Sequence, residues 1–215
     1  MKEKITLAEI PELFTAVAEI FSAKKDMLCE MDANMGDGDL GLTMEKGYGA
    51  LPELLRANVG EGDIGKMLMK SGMKMATVVP STMGTLMASG VMEGGKALKG
   101  KTELSGADLT VYLTGFAAGI AKRGKCQLGD RTVLDAVDAG AKKAEAALQA
   151  NPDASLADII AAAVTGAEAG VEATKEMIPK FGKAAVFSAK AKGVADQGAV
   201  AGLTMIRGLQ NYICA

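Results

Sequence analysis

Apolar residues near the start of the chain fall at Leu7, Ile10, Leu13, Phe14, Val17, Ile20 and Phe21. That three-four spacing lays one apolar stripe along a helix. Thr6 followed by Glu9 is a capping-box signature for its start, and Pro11 lies in or near the first turn, where a missing N–H does least harm. The helix is expected to end near Met31. The same reading predicts seven more, from about Leu40 to Leu55, Ile64 to Ala76, Ser81 to Leu98, Ser105 to Arg123, Arg131 to Ala150, Ser155 to Met177 and Gly198 to Ile213. Ser105 with Asp108, and Ser155 with Asp158, repeat the start signal, and Asn151-Pro152-Asp153 is a turn. Alternating runs of Val, Ile, Thr and Tyr are scarce, so no sheet is expected.

Most connections are short, which makes consecutive helices antiparallel neighbours. No linker divides the chain. The expected fold is therefore all-α, an antiparallel eight-helix bundle in a single domain over residues 1–215. One connection stands apart. From about Ile178 to Gln197 the chain is rich in Lys, carries two Phe, and has Gly182 and Gly193. A connection of that length in a compact domain often serves as a binding loop or lid.

Composition narrows the chemistry. The 215 residues include no His, which excludes Ser-His-Asp and Cys-His sites, imidazole acid–base catalysis and a phosphohistidine. Cys29, Cys126 and Cys214 are far apart and form no CxxC pair, so neither a zinc site nor a disulfide framework is indicated. With 24 Lys and Arg against 26 Asp and Glu, nothing points to nucleic acid or an anionic membrane as a partner. The first ten residues hold no signal-like apolar core and no apolar run is long enough to span a bilayer, so a cytoplasmic, soluble protein is expected. Its 14 Met read as core fillers.

The stretch Met31-Asp32-Ala33-Asn34-Met35-Gly36-Asp37-Gly38-Asp39-Leu40-Gly41 carries the strongest chemical signal. Three Asp lie within eight residues, between two predicted helices and interleaved with Gly that permits tight turns. Converging carboxylates repel one another unless a hard cation with oxygen ligands relieves them. An EF-hand starting at Asp32 fails, because its sixth position is Asp37 where Gly belongs and its twelfth is Thr43 where Glu belongs. Mg²⁺ is the better fit, since it commonly completes its shell with phosphate oxygens, and the following helix N-terminus favours a phosphate.

A second motif is a decoy. Gly95 to Thr102 spells GKALKGKT, a letter-perfect Walker A pattern. That loop needs a strand before it and a helix after it. Here residues 83–98 read as helix, and Gly100 reads as a C-terminal cap with Lys96 and Lys99 favourable to the helix dipole.

At the three-Asp loop, MDANMGDGDLGLTMEKGY resembles the L subunit of bacterial dihydroxyacetone kinase and the nucleotide-binding domain of the fused kinases, whose pattern is roughly LDxxxGDGDHGxNMxxGF. Three further blocks follow in family order over nearly the whole chain. Met83-Gly84-Thr85 resembles the end of the family's nucleotide loop. Gly129 to Ala136 resembles GDKTMLDAL, and Gly193 to Ala199 resembles GxxDPGA. The resemblance implies a helical bundle holding ADP or ATP at one end, with two Mg²⁺ ions bridging phosphates and carboxylates. It implies a kinase subunit that works with a substrate-binding K subunit, on which a histidine captures the ketose dihydroxyacetone. In one version of the family a phosphotransferase-system phosphoprotein recharges the ADP. A homodimer is also entertained.

Carried onto this sequence, Asp32, Asp37 and Asp39 become the metal ligands and, with Lys183 on the lid, the catalytic set. Leu40, Thr43, Ser81, Thr82, Gly84, Thr85, Gly129, Arg131, Thr132, Asp196 and Gly198 become the nucleotide-pocket positions. The chain departs from the family at several of them. Leu40 stands where the family has His, Thr43 where it often has Asn, and Lys183 where the lid usually offers Arg. Thr77-Val78-Val79-Pro80-Ser81 replaces a Gly-Gly-Ala-Ser-Gly loop. The function expected is that of an ADP/ATP- and Mg-binding kinase subunit passing phosphate to a small ketose on its partner. The alternatives are a weakened paralogue acting as a nucleotide-binding regulatory module, or a kinase subunit serving another carrier such as a fatty-acid-binding partner.

Overall fold

The computed structural model describes residues 2–186 and 191–215. Residues 187–190, part of the long connection expected to form a lid, lie outside them. The described residues form eight α-helices: α1 Ile10–Ala33, α2 Leu40–Arg56, α3 Ile64–Val78, α4 Thr82–Ala97, α5 Gly106–Gly124, α6 Val133–Ala150, α7 Leu156–Ala173 and α8 Gln197–Ile213. Each packs against the next, and α8 returns to α1, so the bundle closes into a ring. Among the described residues, no helix is long and apolar enough to cross a membrane.

The start signals act as anticipated. Thr6 and Glu9 form a capping box, although it opens a short 3-10 turn, Leu7–Glu9, that feeds into α1. Ser105 with Asp108 and Ser155 with Asp158 cap α5 and α7. Such a cap stabilises a helix by about 1 kcal/mol, because its side chain satisfies an N–H that has no partner within the helix. Pro11 sits in the first turn of α1. The seventh helix stops at Ala173, four residues before the expected Met177, and passes into a 3-10 turn, Thr174–Glu176. The expectation of no sheet needs one amendment: β1 (Ile5–Thr6) pairs antiparallel with β2 (Glu103–Leu104). This short ladder ties the N-terminal segment to the α4–α5 connection.

One continuous apolar core fills the ring. Phe21 of α1 stacks on Tyr48 of α2 with ring centroids 4.7 Å apart, and Phe14 meets Tyr112 of α5 edge-on. α1 and α2 approach so closely that a Cβ on Gly41 would overlap the carbonyl of Lys25. That contact brings the end of α1 against the start of α2, where the three Asp lie.

The up-and-down order puts the α1–α2, α3–α4, α5–α6 and α7–α8 connections at one end of the bundle. These are the segments at residues 34–39, 79–81, 125–132 and 174–196. The opposite end carries β1 and β2 and the supposed Walker A loop. There Gly100 has φ 88° and its N–H bonds the Asp63 carboxylate, while Lys101 pairs with Asp108 at 2.8 Å. No strand precedes this loop, so it is a helix terminus with its lysine engaged locally.

Candidate functional site

Asp32 ends α1, and the chain then folds back over its side chain. The N–H groups of Gly38 and Asp39 donate to Asp32 Oδ2 at 2.9 and 3.2 Å. The turn depends on two glycines. A Cβ on Gly36 would strike the Asp32 carboxylate, and Gly38 takes φ 78°. This fold-back brings Asp37 and Asp39 beside Asp32, with one oxygen from each of the three carboxylates within 4.8 Å of the others. Asp32 is buried, while Asp37 and Asp39 face solvent.

The charge balance is unfavourable without a cation. Lys183 reaches Asp37 Oδ2 at 2.9 Å, and its hydrogen bond holds the Asp37 carboxyl below the usual range. Asp39 shifts the other way, raised by burial and then by the neighbouring charges of Asp37 and Asp32. Among the described residues, one ammonium faces three carboxylates. An all-oxygen donor set of this kind suits a hard divalent ion such as Mg²⁺.

Two adjoining clefts open on this cluster. The smaller, of about 170 Å³, is lined by the three Asp together with Leu40, Thr43, Ser81, Thr82 and Met83. Ser81 caps α4 by accepting from the Gly84 N–H at 3.0 Å. The larger, of about 330 Å³, extends past Thr82, Met83 and Leu86 to Arg131, Thr132 and Val133, and to the Phe181–Ala184 and Asp196–Gly198 segments.

The far wall is a hydrogen-bonded assembly built on the segment before α6. Asp130 pairs with Lys180 at 2.7 Å, which holds its carboxyl below the usual range. Arg131 is buried in the left-handed region at φ 59°. Its Nε donates to the Thr174 carbonyl at 3.0 Å, and its Nη2 to the carbonyls of Ala191 and Val194 at 3.2 and 2.8 Å. Asp135 accepts from the N–H of Gly129 at 2.6 Å and of Thr132 at 2.7 Å, closing a capping box for α6. Adjacent residues 130 and 131 thus hold both ends of the long connection.

Asp196 caps α8, accepting from the Ala199 N–H at 2.8 Å, and its own N–H donates to Thr174 Oγ1 at 2.9 Å. Burial pushes its carboxyl up to about 6, against the opposing pull of the Ala199 N–H and of the Arg131 charge. The next residue, Gln197, reaches across the cleft so that its Nε2 donates to Asp32 Oδ1 at 3.3 Å.

Twelve of the positions singled out in the sequence therefore surround the two clefts: Asp32, Asp37, Asp39, Leu40, Thr43, Ser81, Thr82, Arg131, Thr132, Lys183, Asp196 and Gly198. Gly84, Thr85 and Gly129 line neither. Gly84 lies against Val79, whose carbonyl a Cβ would overlap, so its small size serves helix packing. The Thr85 hydroxyl donates to the Thr82 carbonyl, and the Gly129 N–H is spent on Asp135. Arg131 lines the wall, but its guanidinium is committed to backbone carbonyls and works as a brace. Met35, Met83, Leu86, Phe181 and Gln197 line the larger cleft without having been singled out as site residues. Gln197 stands where the resembled pattern has Pro, Met83 opens the block that resembles the end of the nucleotide loop, and Phe181 lies in the long connection. Met35 and Leu86 look in sequence like any core residue.

Comparison with known proteins gives concordant results. The DAK2 domain family matches residues 34–211. The ADP-binding subunit DhaL of PEP-dependent dihydroxyacetone kinase 2 from Listeria innocua is 32% identical over 183 residues, covering 83% of this chain and 82% of that protein. The corresponding Escherichia coli subunit is 26% identical over 203 residues, covering 94% and 95%. Human triokinase/FMN cyclase is 29% identical over 188 residues, covering 86% of this chain but only 32% of that enzyme. The crystal structure of the dihydroxyacetone kinase from C. freundii in complex with AMP-PNP and Mg²⁺ superposes with a TM-score of 0.69 at 24% identity, covering 95% of this chain and 34% of that one. The chain thus spans four-fifths or more of these bacterial subunits and about a third of the longer kinases.

Proposed function

Because the chain belongs to the DAK2 domain family, we propose that it is the ADP- or ATP- and Mg²⁺-binding subunit of a dihydroxyacetone-kinase-like phosphotransferase, passing phosphate to a small ketose held by a partner subunit. The observation that carries this reading is the convergence of Asp32, Asp37 and Asp39 within 4.8 Å at the junction of two clefts.

When bound, Mg²⁺ would supply the charge neutralisation that phosphoryl transfer requires. Asp32, Asp37 and Asp39 would hold it, two ions being the family's arrangement. The chain's own residues do the positioning. Ser81 and Thr82 present the first turn of α4, whose free N–H groups favour phosphate. Met83, Leu86 and Val133 offer an apolar wall to a nucleoside and keep water from it. Lys183, paired with Asp37 in the present state, is placed to turn its ammonium to a phosphate. Arg131 and Asp130 fix the segments that carry Lys183 and Asp196. The acceptor and any covalent capture of it belong to the partner, since this chain has no His. A phosphoprotein that recharges ADP would be a second partner, consistent with the PEP-dependent names of the bacterial relatives.

A second reading, a nucleotide-binding regulatory module, draws on Leu40. At that position the chain has a side chain that cannot donate to phosphate, and Val79 and Pro80 replace a Gly-rich loop.

Calorimetric titration of ADP with Mg²⁺ tests the proposal. The intact chain should bind, and Asp37→Ala with Asp39→Ala should abolish binding, because two of three carboxylates are lost. No binding by the intact chain would refute both readings. Binding with no transfer to a ketose-loaded partner subunit would leave the regulatory module.

A further inference from the structure

The resembled pattern GxxDPGA has Pro where this chain has Gln197, so the side chain there is peculiar to this sequence within that pattern. Gln197 opens α8, directly after the cap Asp196, and projects into the larger cleft. Its Nε2 lies 3.3 Å from Asp32 Oδ1. Its Oε1 is buried and has no hydrogen-bond partner among the described residues. A buried carbonyl oxygen without a partner is left desolvated and uncompensated, so this amide is only half used.

We infer that Gln197 is a fourth protein ligand of the cation site, its side-chain amide oxygen lying beside Asp32 on the same ion. The inference rests on the metal-binding role proposed above. Two oxygens on one edge of an octahedron with bonds of about 2.1 Å lie about 3 Å apart. The 3.3 Å between the Gln197 amide and Asp32 Oδ1 is of that size. In the structure the amide turns its N–H₂ to the carboxylate. With a cation bound, rotation about the last side-chain bond exchanges nitrogen for oxygen at nearly unchanged shape, along a torsion that is soft. The exchange withdraws a donor from Asp32 and gives the orphaned oxygen a partner. It also ties α8 to α1 through the ion. A neutral oxygen adds a ligand without adding to the repulsion among the three carboxylates.

The test uses the full chain with Mn²⁺ alone as probe, a hard ion with the same oxygen preference as Mg²⁺. Affinity is measured by calorimetry and ligation by electron–nuclear double resonance on protein labelled with ¹³C at the glutamine side-chain carbonyl. The intact chain should show a ¹³C coupling that disappears in Gln197→Leu, and Gln197→Leu should bind Mn²⁺ about tenfold more weakly. Gln197→Glu, which keeps an oxygen, should retain tight binding. Equal affinity in Gln197→Leu and the intact chain overturns the inference. So does a weakened Gln197→Leu with no ¹³C coupling in the intact chain, which would leave Gln197 acting only through Asp32. Failure of the intact chain to bind Mn²⁺ would instead overturn the functional reading beneath it.

Discussion

Replacing Arg131 with Met should unfasten the wall of the larger cleft and cost about 3–5 kcal/mol. Arg131 is 2% exposed and donates to three carbonyls, those of Thr174, Ala191 and Val194. A hydrogen bond from a charged group contributes about 1.5–3 kcal/mol, and a buried carbonyl left unpaired costs about 1–3 kcal/mol. Three such bonds give a larger nominal sum. Part of it is offset because the Met stem still packs and Val194 lies close enough to solvent for water to replace the donor. Native domains are stable by about 5–15 kcal/mol, so the variant should still fold. Arg131→Lys keeps the charge but brings all donors to a single nitrogen, which cannot span three carbonyls, and should cost about half as much. Urea denaturation gives the global loss as a lower midpoint at unchanged slope. Hydrogen exchange gives the location. The N–H of Asp196, bonded to Thr174 Oγ1, and the N–H of Ala199, bonded to Asp196, should lose protection. Core amides of α1 and α2 should fall only by the global amount. An Arg131→Met protein within 1 kcal/mol of the parent, with protection at Asp196 and Ala199 intact, would refute the assignment of Arg131 as a brace.

Two further outcomes follow from the same geometry. Asp196 titrates at about 6 in the folded chain against an ordinary value of 3.8, so the folded state holds its proton more tightly than the unfolded state. Its contribution to stability therefore falls as pH rises from about 4 to about 6, by up to about 3 kcal/mol, and is level above that. Asp196→Asn should remove this slope, and a stability difference from the parent that stays constant across pH 4–7 would refute it. Lys101→Ala should leave ADP binding unchanged by calorimetry and cost under about 1 kcal/mol, since it loses an exposed pair with Asp108. Loss of ADP binding would revive the Walker A reading.

How much was legible in the sequence depends on how local the cause is. Helix starts at Ser105 and Ser155 follow from a hydroxyl and a carboxylate three residues apart, and both caps form. The Asp32–Asp39 turn is equally local: Gly36 and Gly38 permit it, and Asp32 closes it on N–H groups six and seven residues away. These features rest on neighbours along the chain, so the eight helices and the acidic cluster could be read before any packing was known. Even the closing of α8 on α1 was implicit only as a count of antiparallel helices.

The cleft itself was decided by tertiary structure. Gln197 meets Asp32 across 165 positions of sequence, and Arg131 meets Val194 across 63. Neither distance is fixed by propensity or periodicity. They follow from an up-and-down ring that gathers every second connection at one end, so that segments remote in sequence share a wall. The same closure decides which polar groups are free and which are spent. Arg131 looked like a group for a ligand, yet burial gives it carbonyls to satisfy. Gly129 and Gly84 matched nucleotide-pocket positions, yet the N–H of Gly129 goes to Asp135 and the missing Cβ of Gly84 makes room for Val79. Sequence determined the elements and the charge. Tertiary structure determined which of those groups still have a bond to offer, because a buried polar atom must take the nearest partner that packing provides.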